Sequence, residues 1–89
     1  MKTISRTIPA AATTIDVPTN NIDFVLPASV TLHSSDATRA IELSTNGGLD
    51  YFTPQIDVTA ASMLMVLVEV PITNVKATGV AGNVLTLVY

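Results

Sequence analysis

The sequence predicts an all-β domain, and three observations carry that prediction. Thr, Val and Ile together make up about a third of the residues, which suits a pleated, half-buried surface. Glu, Lys, Gln and Arg, which favour helices, are nearly absent. Prolines at positions 9, 18, 27, 54 and 71 interrupt any long helix. Many short antiparallel strands separated by turn signals are typical of a small β-sandwich or a partly open barrel.

Taken in order, the segments rich in β-branched residues predict ten short strands. They are Thr3–Ile8, Thr13–Val17, Ile22–Leu26, Val30–His33, Thr38–Thr45, Leu49–Thr53, Ile56–Val58, Ser62–Val70, Thr73–Thr78 and Asn83–Tyr89. One helical turn is predicted, over Val58–Met63, because Thr59-Ala60-Ala61-Ser62 is compact and lacks a strand pattern.

Two β-hairpins are predicted from their turn residues. The first is Ile41–Phe52, in which Asn46-Gly47-Gly48 tolerates the positive φ that tight turns require. The second is Thr73–Tyr89, with Gly79 and Gly82 placed around Val80-Ala81.

The length of 89 residues predicts a single domain with a thin core. Residues 21–89 are predicted to form the sandwich. Residues 1–20 are predicted to form either an edge strand or an extended arm that adds a strand to a neighbouring subunit. With no cysteine to cross-link it and no zinc-type ligand spacing, such a small domain often depends on oligomerisation.

The composition is unusually apolar for a domain that stands alone. Apolar residues make up 48% of the chain and charged residues only 12%, whereas globular domains carry about 25% charged residues. The missing charge predicts a surface that is buried against other protein subunits. The four basic residues are scattered and the net charge is −3, so no nucleic-acid-binding stripe is expected.

The alternation along two strands localises this predicted contact surface. In Met63–Val70, where only Glu69 is charged, one face carries Leu64, Val66, Val68 and Val70, and the other carries Met63, Met65 and Leu67. Asn83–Tyr89 is likewise apolar on both faces. Either these strands lie centrally under a loop or the N-terminal segment, or their second face packs on another subunit. The residues predicted to form the subunit or partner interface are Ile4, Ile8, Met63, Met65, Leu67, Leu85, Leu87 and Tyr89.

No pattern in the sequence predicts catalysis, a cofactor or a metal. His33-Ser34-Ser35-Asp36 contains the residue types of a hydrolytic triad, but triad members converge from separate parts of a chain, so a polar turn is expected. The aspartates lack calcium-loop spacing. Gly79-Val80-Ala81-Gly82 lacks the lysines of a phosphate loop and is expected to be a turn. We therefore expect no enzyme, no cofactor and no small-molecule substrate.

No targeting or membrane segment is expected either. The first 15 residues combine Lys2 and Arg6 with a run of alanines, but they lack the apolar stretch of a signal peptide. The longest apolar run, Met63–Val68, is far shorter than the ~20 residues that span a bilayer. The chain is expected to be made in a host cytoplasm without a signal peptide.

Two segments, IELSTNGGLDYFTP and ITNVKATGVAGNVLTLVY, resemble parts of small all-β accessory virion proteins of tailed bacteriophages, closest to those that decorate or cement the capsid. The resemblance covers roughly the last 50 residues. It implies a protein on the capsid exterior that binds the assembled shell of major capsid protein, often as a homodimer or trimer, and stabilises that shell by non-covalent contacts.

Two other functions remain open from the sequence. The chain could serve as a tail, baseplate or fibre-adaptor component, which would use the same kind of surface at another place in the particle. It could also be a carbohydrate-binding β-sandwich module, in which Tyr51, Phe52 and Tyr89 are the aromatic residues available to stack on sugar rings.

Overall fold

The computed structural model, which describes residues 2–19 and 24–89, confirms the all-β prediction. The described residues contain no helix and form eight strands. They are β1 (Thr3–Thr7), β2 (Thr14–Pro18), β3 (Ala28–His33), β4 (Ala40–Ser44), β5 (Val58–Ala60), β6 (Met63–Val68), β7 (Asn74–Thr78) and β8 (Val84–Val88).

The strands form two antiparallel sheets that pack face to face. The five-stranded sheet has the order β1-β8-β3-β6-β5, and the three-stranded sheet has the order β2-β7-β4. The sheets do not close into a barrel, so the molecule is a small β-sandwich. The chain exposes 4828 Å², close to the roughly 5,000 Å² expected of a compact monomer of this mass.

The strand pairings are nested around one turn near the middle of the chain. Leu43 bridges Phe52 across the Asn46–Gly48 turn, and outside that bridge β3 pairs with β6, β2 with β7, and β1 with β8. The chain is thus one long hairpin that is rolled up, so that β3 also pairs with β8 and β4 with β7. This arrangement resembles a jelly roll, except that β5 pairs with β6 in the five-stranded sheet and not with β4.

The core lies between the sheets and is built from one face of each inner strand. Alternation places Val30, Leu32, Val66 and Leu87 on the inner face of the five-stranded sheet, and Val75 opposite them. Ile8 and Ile72, both fully buried, lie at two of the places where the chain crosses between the sheets, after β1 and after β6. The full set is Ile8, Val17, Ala28, Val30, Leu32, Ile41, Leu43, Leu64, Val66, Val68, Ile72, Val75, Ala77, Leu85, Leu87 and Tyr89.

Of the two predicted hairpins, the first is confirmed in part and the second is wrong. The chain reverses at Asn46–Gly48 as expected, with positive φ at Gly47 and Gly48, but only Phe52 pairs with β4. In the second predicted hairpin, Thr73–Tyr89, the two strands β7 and β8 belong to different sheets. The turn at Gly79–Gly82 therefore carries the chain across the sandwich, since the partners of β8 are β1 and β3.

Three further expectations about secondary structure fail. The helical turn predicted over Val58–Met63 is wrong, because Val58–Ala60 is strand β5 and pairs with β6 in a tight hairpin. Leu49–Thr53 contains a single bridge instead of a strand. The predicted strand Ile22–Leu26 lies partly outside the described residues, and its described part, 24–26, is not a strand.

Within residues 2–19 the structure shows two edge strands. β1 forms one edge of the five-stranded sheet through β8, and β2 forms one edge of the three-stranded sheet through β7. Both strands pair within the sheets of this chain. Ile8 marks the crossing between the two sheets, and its side chain is 1% exposed.

Candidate interaction surface

The outer face of the five-stranded sheet carries fourteen side chains, and none of them is Asp, Glu, Lys or Arg. Residues opposite one another in neighbouring strands share a face, so the registers define this set. We call it the uncharged face. Its members are Thr3, Ser5, Thr7, Ser29, Thr31, His33, Val58, Ala60, Met63, Met65, Leu67, Val84, Thr86 and Val88.

The uncharged face is open to solvent. Each of its fourteen residues is half-buried or exposed, and Leu67 reaches 44% exposure. Five strands about 4.8 Å apart, of which β5 has three residues and the others five or six, give it an area of roughly 400 Å². Half of the fourteen side chains are apolar and the other half are polar but uncharged, so this face is a candidate contact surface.

The structure places the predicted interface residues in three different environments. Met63, Met65 and Leu67 lie together on the uncharged face, as expected. The prediction that Ile8, Leu85, Leu87 and Tyr89 are available to a partner is wrong, because all four lie in the core at 1–4% exposure. Ile4 is half-buried on the inner face of β1, where it packs against the core.

The members of the uncharged face that sequence reasoning missed are the outward residues of β8, β3, β1 and β5. On β8 it is Val84, Thr86 and Val88 that point outward. Thr86 was the available signal, because a hydroxyl is more costly to bury than the side chains of Leu85 and Leu87. The sequence around Ser29, Thr31 and His33 gives no sign of a contact surface, because they join the uncharged face only through the pairing of β3 with β6 and β8.

Strands β6 and β8 do occupy central positions, as the alternative interpretation proposed. β8 lies between β1 and β3, and β6 lies between β3 and β5. Their outer sides are nonetheless solvent-accessible, with Met63, Met65 and Val88 all half-buried. A second layer within the described chain therefore does not account for the apolar outer side of these strands.

A small apolar cavity lies at one end of the uncharged face. It has a volume of about 190 Å³ and is lined by Val25, Pro27, Ala28, Ser29, Leu67, Val88 and Tyr89. Ser29, Leu67 and Val88 belong to both the cavity and the face, so the two are continuous. The ring of Tyr89, which lines the cavity, stacks on Phe24 with their centroids 4.5 Å apart.

The outer face of the three-stranded sheet has the opposite character. Asp16, Lys76 and Glu42 lie side by side in one cross-strand row. Tyr51 covers this row, with its hydroxyl donating to Asp16 and Lys76 Nζ lying 3.9 Å from the centre of its ring. Partial burial raises the pKa of Tyr51 to about 12, and the hydrogen bond to Asp16 and the negative charges of Asp16 and Glu42 add to the effect.

The aromatic residues considered for sugar binding do not form a common platform. Tyr89 is buried against Phe24, and Lys76 occupies one side of the Tyr51 ring. Phe52 is 45% exposed, and its backbone forms an isolated β-bridge with Leu43. The geometry that would hold a sugar ring between exposed aromatic faces is therefore not present in these three residues.

The polar segment that begins at His33 is a turn, as expected. His33 ends β3, and the hydroxyl of the buried Ser34 accepts a hydrogen bond from the backbone N–H of Asp36. The side-chain hydroxyl and the backbone N–H of Thr38 both donate to the Asp36 carboxylate, which lowers the pKa of Asp36. Arg39 then donates to the carbonyl oxygens of Ser34, Ala60 and Ala61. These bonds tie the β3–β4 loop to the β5–β6 hairpin.

Residues 2–19 and 24–89 contain no group of three or more His, Asp or Glu side chains that could hold a metal ion. No helix in that part of the chain is long and apolar enough to cross a membrane. Comparisons with protein-family models, with curated proteins and with solved structures found no match. The uncharged face is therefore interpreted from its own geometry.

Proposed function

We propose that this chain is a structural virion protein of the capsid decoration type, which binds an assembled shell of major capsid protein without catalysing a reaction. The observation that carries the proposal is the uncharged face: roughly 400 Å² of accessible sheet surface with no formal charge. The resemblance of the last 50 residues to such proteins supports the same function. Jelly rolls also occur in viral capsid domains, although that fold serves other functions too.

The proposed mechanism is non-covalent attachment through shape and apolar burial. Met63, Met65 and Leu67 form a raised row of long side chains beside the shorter Ser29 and Thr31. Methionine adapts to irregular surfaces, which suits a contact at the boundary between capsid subunits. The 190 Å³ cavity beside Leu67 has room for one apolar side chain of the shell. The polar outer face of the three-stranded sheet, which carries Asp16, Glu42 and Lys76, then faces the solvent.

Co-sedimentation with assembled particles tests this function. The chain is mixed with shells formed by the major capsid protein of the same virus, and separately with the free capsid subunits. We expect it to pellet with the shells and to bind free subunits at least about tenfold more weakly, because only the shell presents subunit boundaries. Copy number distinguishes the places in the particle, since a decoration protein is far more numerous than a tail or baseplate component.

A matched pair of variants assigns the binding to the uncharged face. Thr31→Glu places a charge at the centre of that face, and Thr78→Glu places one on the central strand of the other sheet. An unpaired buried charge costs several kcal/mol, so we expect Thr31→Glu to weaken shell binding by about 100-fold or more and Thr78→Glu to leave it unchanged. Equal binding by both variants, or a parent chain that stays in the supernatant, contradicts the proposal.

A further inference from the structure

Strand β1 leaves a row of backbone hydrogen-bonding groups pointing away from the molecule. Lys2 and Tyr89 exchange backbone hydrogen bonds, and Ile8 N–H donates to Asn83. The even-numbered residues of β1 therefore face β8, whereas the N–H and C=O groups of Thr3, Ser5 and Thr7 face the open edge, where no strand of the described chain pairs with them. All three residues are exposed.

The other three sheet edges are less suited to accept a strand. β2 has Pro18, which lacks an N–H, and the charged Asp16. β4 already exchanges two backbone hydrogen bonds with Phe52 through Leu43. β5 is only three residues long, and the adjoining Asp57 carboxylate accepts from Leu67 N–H. Among the described strands, β1 is the one five-residue edge without a proline or an acidic residue.

We propose that two copies of this chain associate through antiparallel pairing of β1 with β1 of the second copy. A two-fold axis through Ser5 places Ser5 opposite Ser5 of the second copy and Thr3 opposite Thr7. The outward N–H and C=O groups then form up to six hydrogen bonds, and the two five-stranded sheets become one continuous ten-stranded sheet.

The side chains of β1 are compatible with this register. Ser5 and the threonines are small, uncharged and suited to strands. Arg6 lies opposite Ile4 of the second copy, so no two like charges face each other directly. The guanidinium of Arg6 donates to the Ser5 carbonyl oxygen at 2.9 Å. That oxygen has a second lone pair, which can accept the N–H of Ser5 from the second copy.

The area of the uncharged face also favours a pair of copies. The roughly 400 Å² of one copy is about half of what each partner contributes to a standard interface, which is about 800 Å². Edge pairing places the two uncharged faces side by side on the same side of the joined sheet and brings the total to roughly 800 Å². This last argument rests on the proposed function, whereas the open edge of β1 does not.

A proline substitution tests the pairing without touching the fold. In Ser5→Pro only the outward N–H is lost, because Ser5 does not hydrogen-bond to β8, and proline is accepted at such edge positions. We expect the dimer of the parent chain in sedimentation velocity, and a dissociation constant at least about tenfold higher for Ser5→Pro, since two hydrogen bonds are lost per dimer. Thr14→Pro removes the corresponding outward N–H of β2 and is expected to leave the dimer intact.

Cross-linking reports on the geometry of the dimer. The chain has no cysteine, so Ser5→Cys, Thr86→Cys and Thr78→Cys each supply a single thiol. The two Cys side chains at position 5 would lie ~5 Å apart. Those at position 86 would be separated by about three strand spacings, ~14 Å. Those at position 78 would lie on the three-stranded sheet, away from the pairing edge. We expect a short bifunctional thiol reagent to join copies efficiently through position 5 alone.

Each outcome separates this inference from the proposed function. A parent chain that remains monomeric at hundreds of micromolar, or cross-linking that is equal at all three positions, overturns the β1 pairing. If such a monomer still pellets with shells, the proposed function stands without the dimer. If the dimer forms through β1 but never pellets with shells, the pairing stands and the shell-binding function is contradicted.

Discussion

Tyr51 is the residue whose chemistry the fold changes most clearly. Its hydroxyl donates to Asp16 of β2 and its ring contacts Lys76 Nζ of β7, so side chains from two neighbouring strands hold the neutral phenol in place. The phenolate would lie against the carboxylate of Asp16 and would also be repelled by the negative charge of Glu42. The pKa of Tyr51 therefore rises from its ordinary value of 10.0 to about 12.

This shift predicts a loss of stability at high pH. Because the pKa is higher in the folded state than in the unfolded state, the contribution of Tyr51 is fully present below pH 10 and is lost as the pH rises towards 12. The ultraviolet titration of the parent chain minus that of Tyr51→Phe isolates this one phenol. We expect Asp16→Asn to move its pKa downward. A Tyr51 that ionises at or below its ordinary pKa would contradict the arrangement.

Single residues also show where reasoning from the sequence stops. The alternation along Met63–Val70 correctly identified Met63, Met65 and Leu67 as an outward row. Arg39 gave no signal, yet it donates to three backbone carbonyl groups from two separate loops. Its partners are main-chain atoms, which any sequence supplies, so only the folded geometry reveals the contact.

At the scale of elements, the turn between β7 and β8 shows how a local pattern can mislead. Gly79 and Gly82 look like the ends of a hairpin loop, and two strands do flank them. The turn instead crosses from one sheet to the other, with Gly79 N–H donating to Thr13 and Gly82 N–H donating to Ile8. Pairing partners more than 60 residues away decide this, and a local motif carries no information about them.

The same turn predicts an unequal response to alanine at its two glycines. A Cβ at Gly79 would lie 2.5 Å from Asn83 Oδ1 and 3.0 Å from Ile8 Cδ1, and Asn83 Oδ1 already accepts from Val80 N–H at 2.7 Å. We expect Gly79→Ala to lower the free energy of unfolding by about 2–3 kcal/mol.

Gly82 is the control for that substitution. A Cβ there meets nothing within 4 Å, but φ is 91°, so Gly82→Ala should cost only about 1 kcal/mol of backbone strain. Denaturant unfolding of the two variants measures the difference. If Gly79→Ala were as stable as Gly82→Ala, the contact between the crossing turn, Asn83 and Ile8 would be misplaced.

At the scale of the whole molecule, the sequence predicts the class of the fold but not its winding. Strand composition and turn residues are local properties of the sequence. They are therefore sufficient to predict an all-β sandwich and the turn at Asn46–Gly48. The assignment of strands to sheets depends on pairs such as Thr3 with Val88. The outward side of β8 was predicted wrongly for the same reason, because the pairing of β8 with β1 and β3 decides which of its residues face the core.

The nested pairing has a kinetic consequence. Strand pairs close to the Asn46–Gly48 turn enclose short loops, whereas β1 with β8 encloses nearly the entire chain. Loop closure costs more entropy as the loop grows, and non-local sheets fold slowly, in milliseconds to seconds. We therefore expect β1 to join the structure late. Ile4→Ala should then speed unfolding in stopped-flow measurements while leaving the folding rate almost unchanged. A slower folding rate in that variant would mean that the two ends of the chain meet early.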